Sequence, residues 1–422
     1  MSSSLPPARS LEAPTSGPQR RPLAWLALLP AAALWALAAH ALWHSTIPPG
    51  LSLGHVSPKG LFSASFLRRS ASYERLLDID QLLGQLTLVV VLLVYARRGH
   101  RLMRESAAGP IGTGMLLGML GFAIVWLSQV PFELVAVWWE RRHGVSHQGY
   151  VSSVLDGFLG LGAEFLFVSF ALLLAMGFAM LTRRWWWAFA APLFAGLALL
   201  STFLSIYLIP DTHPLRDPTT LADVRSLAHK EGVSHTKIEV QDVARFTTAP
   251  NAESVGFGST RGLILWDTLL DGRFSQREVR VVAAHELGHL AHHHPLKRVG
   301  WLVLFLIPAA ALVALATMRR GGLARPEAVP LALLVFLVLQ LLSGPLMNIV
   351  SRHEEAEADW SALRATRDPV AARGLFKQLA TTSLGDPDPP SWAYVLYADH
   401  PTIVQRIAMV DAWQRLHPSS GR

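Results

Sequence analysis

Seven long apolar runs decide what this chain can fold into: Leu23–Trp43, Gln81–Ala96, Ile111–Phe132, Gly157–Thr182, Trp185–Pro210, Val299–Met318 and Ala328–Ser351. A membrane-crossing helix needs about 20 apolar residues. The first run has no Asp, Glu, Lys or Arg and outlasts the apolar core of a cleaved signal peptide, about 7–15 residues, so it is expected to be a retained helix. Gln81–Ala96 is short and needs its flanks to complete a crossing. The fourth and fifth runs are parted only by Arg183-Arg184, which predicts a tight helical hairpin capped by those arginines and the Trp185-Trp186-Trp187 belt. Charged residues are 16% of the chain, against about 25% in soluble domains.

The polar residues fall in three places. Residues 1–22, rich in Ser, Pro and Arg without an apolar period, read as a disordered tail. Asp211–Arg298 holds two short β-prone runs, Ile238–Val243 and Gly262–Trp266, and then the capping box Ser275-Gln-Arg-Glu278, which opens an amphipathic helix expected to run to about His294, before Pro295. Arg352–Arg422 is polar and mostly helical. The expected organisation is a membrane domain over 23–210 with five spans, a catalytic part over 211–298, two further spans over 299–351, and a C-terminal part of the catalytic domain over 352–422. There is no cysteine, so any metal must be held by His, Asp or Glu. The net charge of +7 lies mostly in arginines beside apolar runs, which topology explains without nucleic acid. The preference for Arg over Lys points to a GC-rich bacterial coding sequence, and so to a multi-pass protein of a bacterial inner membrane.

The amphipathic helix contains His285-Glu286-Leu287-Gly288-His289. Histidines four apart share a helix face, so both imidazoles can reach one ion, a spacing that suits zinc. Glu286 is placed to take a proton from a metal-bound water rather than to bind the metal. The neighbouring His292, His293 and His294 do not fit the longer metzincin spacing and are expected to be exposed or to lie behind the ligands. A third ligand must come from elsewhere. Ser351-Arg-His-Glu354-Glu355-Ala-Glu357-Ala-Asp359 is the best stretch: on a helix, Glu355 and Asp359 share a face, one for metal and one for support. Spacing alone does not separate Glu354, Glu355 and Glu357.

These residues resemble the integral-membrane zinc metallopeptidases of the Ste24 type, the type I CAAX prenyl proteases of family M48. The likeness extends to Asn251-Ala252 with Gly256-Phe-Gly258, to Ile264-Leu-Trp-Asp267-Thr-Leu-Leu270, to Asn348-Ile-Val-Ser351-Arg352 before Glu355 and Ala358-Asp359, and to His400-Pro401 and Arg406. It implies a mainly α polytopic membrane protein: a ring of about seven transmembrane helices around a chamber, with a small α+β gluzincin-like protease domain. It implies one Zn(2+) per chain on His285, His289 and Glu355, with Asp359 supporting a ligand histidine and acting as a proton donor. His400 would steady the oxyanion, Asn251 and Ala252 would lie along an extended substrate, and Arg406 would approach that substrate. Asp156 and Glu164, at the start of and inside the fourth run, suit the aqueous interior of such a ring.

The reaction implied is endoproteolysis of peptide or membrane-associated protein substrates by a monomer in a lipid bilayer. CAAX specificity is a weaker implication, because a bacterium lacks the usual prenylated clients. A membrane quality-control protease of the heat-shock M48 type is the nearest alternative, and seven runs favour the Ste24 arrangement over it. A site-2 intramembrane protease would bury its motif in an apolar span, whereas Gln276-Arg-Glu-Val-Arg280 is amphipathic. A non-catalytic scaffold or transporter with a structural metal would close the site with four protein ligands, not two His, one Glu and an open position. Short segments on the N-terminal side carry twelve Arg or Lys, against six opposite. With seven crossings that bias places the catalytic part outside the cytoplasm, unlike the eukaryotic relatives, unless one run, most readily Gln81–Ala96, does not span.

Overall fold

The computed structural model describes residues 23–101 and 108–418. The expected tail over 1–22 and the side chains of Asp156 and Glu164 lie outside what it describes. Each of the seven apolar runs lies on a helix. Helix α1, Leu23–Leu42, belongs to a unit of its own, Met1–His44. In the second unit, Ser45–Arg422, come α2 (Ala64–Arg98), α3 (Gly109–His143), α4 (Tyr150–Thr182) and α5 (Trp186–Leu208). The short run 81–96 is thus the apolar part of a 35-residue helix, and its length gives no ground for excluding it as a span. Among the described residues, five helical stretches are long and apolar enough to cross a membrane, and one of them, Leu166–Leu208, contains both α5 and the second half of α4.

The hairpin forms as its two arginines predict. A 3-10 turn over Arg183–Trp185 joins α4 to α5, Arg183 takes a positive φ of 54, and Phe178 stacks on Phe189 with ring centroids 6.1 Å apart. Outward side chains are apolar: Leu166 is 70% exposed and Leu181 81%. Such surfaces suit lipid rather than water.

The polar part follows α5. Strand β1 (Thr212–Pro214) leads through α6 (Pro218–Lys230) to β2 (Lys237–Gln241), β3 (Ala252–Val255) and β4 (Gly262–Trp266). The sheet order is β1-β2-β4-β3; β2 pairs parallel with β4, and β3 pairs antiparallel with β4 along one edge only. Asp267 fixes the loop after β2 by accepting from the N–H groups of Val243 and Ala244, each at 3.0 Å. Thr268 donates to the Ala249 carbonyl at 2.8 Å and so sets the approach to Asn251.

Helix α7 (Gln276–Ala291) starts at the predicted capping box, with both reciprocal bonds present. It ends earlier than expected. His293 adopts φ 58, the chain turns, and α8 begins at His294 and runs to Thr317. Helix α9 is one 38-residue helix, Val329–Thr366; its first half is the seventh apolar run and its second half carries Ser351–Asp359. Helices α10 (Pro369–Ser383), α11 (Ser391–Tyr397) and α12 (Ile403–Leu416) close the polar part. Its core joins Leu263 and Leu265 of β4, Ala284 and Leu287 of α7, Trp360 and Leu363 of α9, and Ile407 and Val410 of α12.

Gly288 lets α7 close on α9: a Cβ there would stand 3.1 Å from the Ser361 Cβ. Gly256, in the turn after β3, has φ +71, and a Cβ would fall 2.2 Å from the Thr260 carbonyl oxygen. Gly258 also has a positive φ, +61, but open space around it. Gly256→Ala is therefore expected to cost about 2–3 kcal/mol through a clash with fixed backbone. Gly258→Asn should be nearly neutral, because Asn tolerates the left-handed region. Chemical denaturation of the two variants beside the parent measures the difference.

Candidate metal centre and active site

Helix α7 presents His285 and His289 on one face, and the second half of α9 presents Glu355 to them. The two Nε2 atoms are 3.1 Å apart, His285 Nε2 is 3.0 Å from one Glu355 oxygen, and His289 Nε2 is 3.3 Å from the other. All three residues are buried. Ligand atoms about 2.0–2.1 Å from a tetrahedral zinc stand about 3.3 Å from one another. The donor set therefore fits such an ion, and two imidazole nitrogens aimed at each other and at a carboxylate have few other reasons to converge.

Spacing left Glu354, Glu355 and Glu357 undivided, and the structure separates them. Glu354 turns to Arg298, which donates from Nε at 2.9 Å. Glu357 points to the far side of the pair, where its two oxygens meet the Thr46 N–H at 2.5 Å and His294 Nε2 at 3.1 Å. Only Glu355 faces both histidines.

The outer nitrogen of each histidine is held differently. His285 Nδ1 is 2.9 Å from Asp359, whose two oxygens are gripped by Arg406 at 2.8 and 2.6 Å. His289 Nδ1 is 2.7 Å from Nδ1 of His294, a fully buried residue that passes the contact on to Glu357. With an ion on both Nε2 atoms, His289 Nδ1–H would donate to His294 Nδ1, and His294 Nε2–H would in turn donate to Glu357. The left-handed turn at His293 makes this possible by folding His294 back over α7. Of the three extra histidines, His294 is the one behind a ligand. Without an ion, burial pushes the His285 imidazole down, but hydrogen bonds and charge from Asp359 and Glu355 outweigh it and hold its pKa at about 10. Metal binding at Nε2 must then release that proton.

The donors open into a cavity of about 370 Å³ lined by Asn251, Ala252, Glu253, Glu286, His400 and Arg406, among others. Glu286 sits 4.0 Å from His285 Nε2, and its carboxylate makes no hydrogen bond among the described residues. The free edge of β3 forms one wall. His400 stands half-exposed opposite, its Nε2 3.2 Å from Glu355 and its Nδ1 2.7 Å from Asp399. Asn348 and Arg352 place that histidine: Asn348 donates to the Leu396 carbonyl at 2.8 Å, and Arg352 donates to those of Tyr394 and Ala398. Arg406, expected beside the substrate, spends its guanidinium on Asp359 while lying over Phe376, 4.3 Å from the ring centre.

Sequence reasoning allowed His294 a place behind the ligands without singling it out, and found no supporting role for Glu357 or Arg298. Proximity in sequence was the only available sign for His294, because its partners depend on a turn at a non-glycine residue. Glu357 stood among the three candidate third ligands, but its place behind His294, like the role of Arg298, becomes meaningful only when α8 lies beside α9.

Among the described residues, five helical stretches able to cross a membrane and a buried His-Glu-x-x-His centre with a third ligand from a distant helix define a membrane-integral metalloprotease. The comparisons agree. Residues 214–414 match the model of peptidase family M48. The chain is 25% identical over 298 residues to the uncharacterized metalloprotease YhfN of Bacillus subtilis, covering 67% of this chain and 70% of that one. It is 26% identical over 315 residues to the CAAX prenyl protease 1 homolog of Arabidopsis thaliana, covering 70% and 73%. Its fold is like that of S. mikatae Ste24p, with a TM-score of 0.65 and 17% identity across 93% of this chain and 99% of that one. This chain is a metalloprotease whose residues 214–414 resemble peptidase family M48.

The two supporting chains make a quantitative expectation. Asp359→Asn and His294→Ala should each weaken metal affinity by about 10–100-fold, measured by competition against a chromophoric chelator. His293→Asn, at an exposed position whose left-handed backbone Asn tolerates, should leave the affinity unchanged.

Proposed function

We propose that the chain is a zinc-dependent endopeptidase acting on peptides or membrane-associated proteins, with one zinc per chain held by His285, His289 and Glu355. The observation that carries this reading is the open side of the donor set: three protein donors converge at tetrahedral spacing, and their fourth side faces the cavity beside Glu286. When bound, zinc supplies Lewis acidity, polarising a carbonyl and making water more acidic.

The protein's own groups do the rest. The free edge of β3 at Asn251 and Ala252 offers main-chain hydrogen bonds to an extended substrate and fixes its carbonyl over the centre. Glu286, unpaired and facing the cavity, takes the proton of the attacking water and passes it to the leaving amine. His400, braced by Asp399, donates to the oxygen on which negative charge develops. Asp359 holds the ring of His285 with the proton on Nδ1; Arg406 holds Asp359 and acts on substrate only through it. His294 and Glu357 do the same for His289.

The division into membrane and catalytic segments at 23–210, 211–298, 299–351 and 352–422, and placement in a bacterial inner membrane, belong to the same proposal. The prenyl specificity named for the plant relative is not carried over; the cavity lining mixes its polar groups with Val281, Val282, Leu375, Phe376 and Leu379.

Glu286→Gln is expected to retain metal and fold while lowering cleavage by at least about 10²–10⁴-fold. Metal content and cleavage of a casein-type reporter by detergent-purified protein check it; a variant as active as the parent would sink the mechanism.

A further inference from the structure

A cavity larger than the one at the metal centre lies elsewhere in the molecule. It has a volume of about 860 Å³ and lies between the α4–α5 turn and the α8–α9 connection. Helix α8 starts beside the metal centre and ends at this cavity, so its 24 residues put the two about 36 Å apart along the helix. That is roughly the hydrocarbon thickness of a bilayer. The cavity therefore opens at the opposite membrane face.

Its walls carry Arg183, Arg184 and Arg325 around an apolar floor that includes Ala314 and Leu323, with Trp185 at the rim. Arg319 and Arg320 follow directly on the lining residue Met318. Among the described residues none of these five arginines has a carboxylate partner, and Nη1 of Arg320 is buried without any acceptor. Burying a guanidinium nitrogen without a partner is costly. Gly321 and Gly322, both with positive φ, keep the connection tight and leave the mouth open. The rim is apolar toward lipid: Leu181 is 81% exposed, Leu315 63% and Trp185 54%.

We propose that this cavity binds the headgroup of an anionic phospholipid, with the phosphate on the arginines and the glycerol and first acyl carbons against Ala314, Leu323 and the exposed Leu181 and Leu315. Unpaired guanidinium groups match phosphate oxygens in forked geometry. A pocket of 300–1,000 Å³ is the usual size for a small ligand, and an apolar floor continuous with the lipid-facing surface suits a tethered ligand better than a free anion. A bound lipid joins the two helical hairpins at the end remote from the metal centre.

The full chain, delipidated in detergent, is tested by native mass spectrometry with added phosphatidylglycerol, phosphatidylcholine or inorganic phosphate. One phosphatidylglycerol is expected to be retained in preference to phosphatidylcholine by about a hundredfold, near fivefold for each of three arginines. The triple variant Arg183→Gln, Arg184→Gln, Arg325→Gln should lose this preference, whereas Arg68→Gln, Arg69→Gln, Arg75→Gln should keep it. Equal retention by the first variant, or displacement of the lipid by millimolar inorganic phosphate, overturns the proposal. A photoreactive phosphatidylglycerol on the unaltered protein gives a second reading that needs no variant. Labelling should concentrate at Trp185, Met318 and Leu323, and labelling spread evenly over the membrane helices overturns it.

Discussion

The contact between α7 and the second half of α9 is the constraint on which the rest of this molecule depends. It brings two imidazole nitrogens within about 3 Å of each other and of a carboxylate, an arrangement that repels or starves its members unless protons or an ion fill the space between them. Gly288 permits the approach, and a core of Leu263, Leu287, Trp360 and Ile407 holds it. Buried polar groups are tolerable only when each finds a partner. The carboxylates Asp359 and Glu357, and behind them Arg406 and the Thr46 N–H, supply those partners.

The two ligand histidines are braced from opposite sides by unlike devices. On one side a carboxylate does the work and an arginine holds the carboxylate. On the other a third histidine is inserted where α8 leaves α7, and it links His289 to Glu357, which sits two residues on from Glu355 and so about 200° around α9. Both devices present a proton acceptor to Nδ1, which is what fixes Nε2 as the free nitrogen. The carboxylates that end both chains, Asp359 and Glu357, come from the same two turns of α9 that supply the third ligand, so orientation of the first pair and delivery of the third are one structural event.

Local signals in the sequence were enough for the parts of the fold that local forces decide. The capping box at Ser275 set the start of α7, the charge-free runs set the membrane helices, and the two arginines at 183–184 set the hairpin. The helix end at Ala291 was misjudged by a few residues because His293 takes a left-handed backbone that periodicity does not reveal. Spacing also could not choose among three glutamates, since the choice is made by the rotation of α9 against α7. The resemblance to a known family pointed to Glu355; the geometry gives the reason, by sending Glu354 to Arg298 and Glu357 to His294. Arg406 shows the converse: a residue correctly placed near the site whose guanidinium is already occupied.

The continuity of α9 fixes where the chemistry lies relative to the bilayer. Glu355 follows the last residue of the seventh apolar run, Ser351, on the same uninterrupted helix, so it lies only about 6 Å past that boundary at 1.5 Å per residue. From the other direction, His294 opens α8 a few residues before the sixth run begins at Val299. Two rigid helices thus place the donor set within about two turns of the membrane boundary, and neither can move it far without breaking a helix. A soluble protease could hold the same donors anywhere; here their depth is built into helices that are themselves anchored in lipid. Peptide bonds that lie at or near the membrane surface are therefore the ones this centre meets without the substrate having to be drawn away from the bilayer.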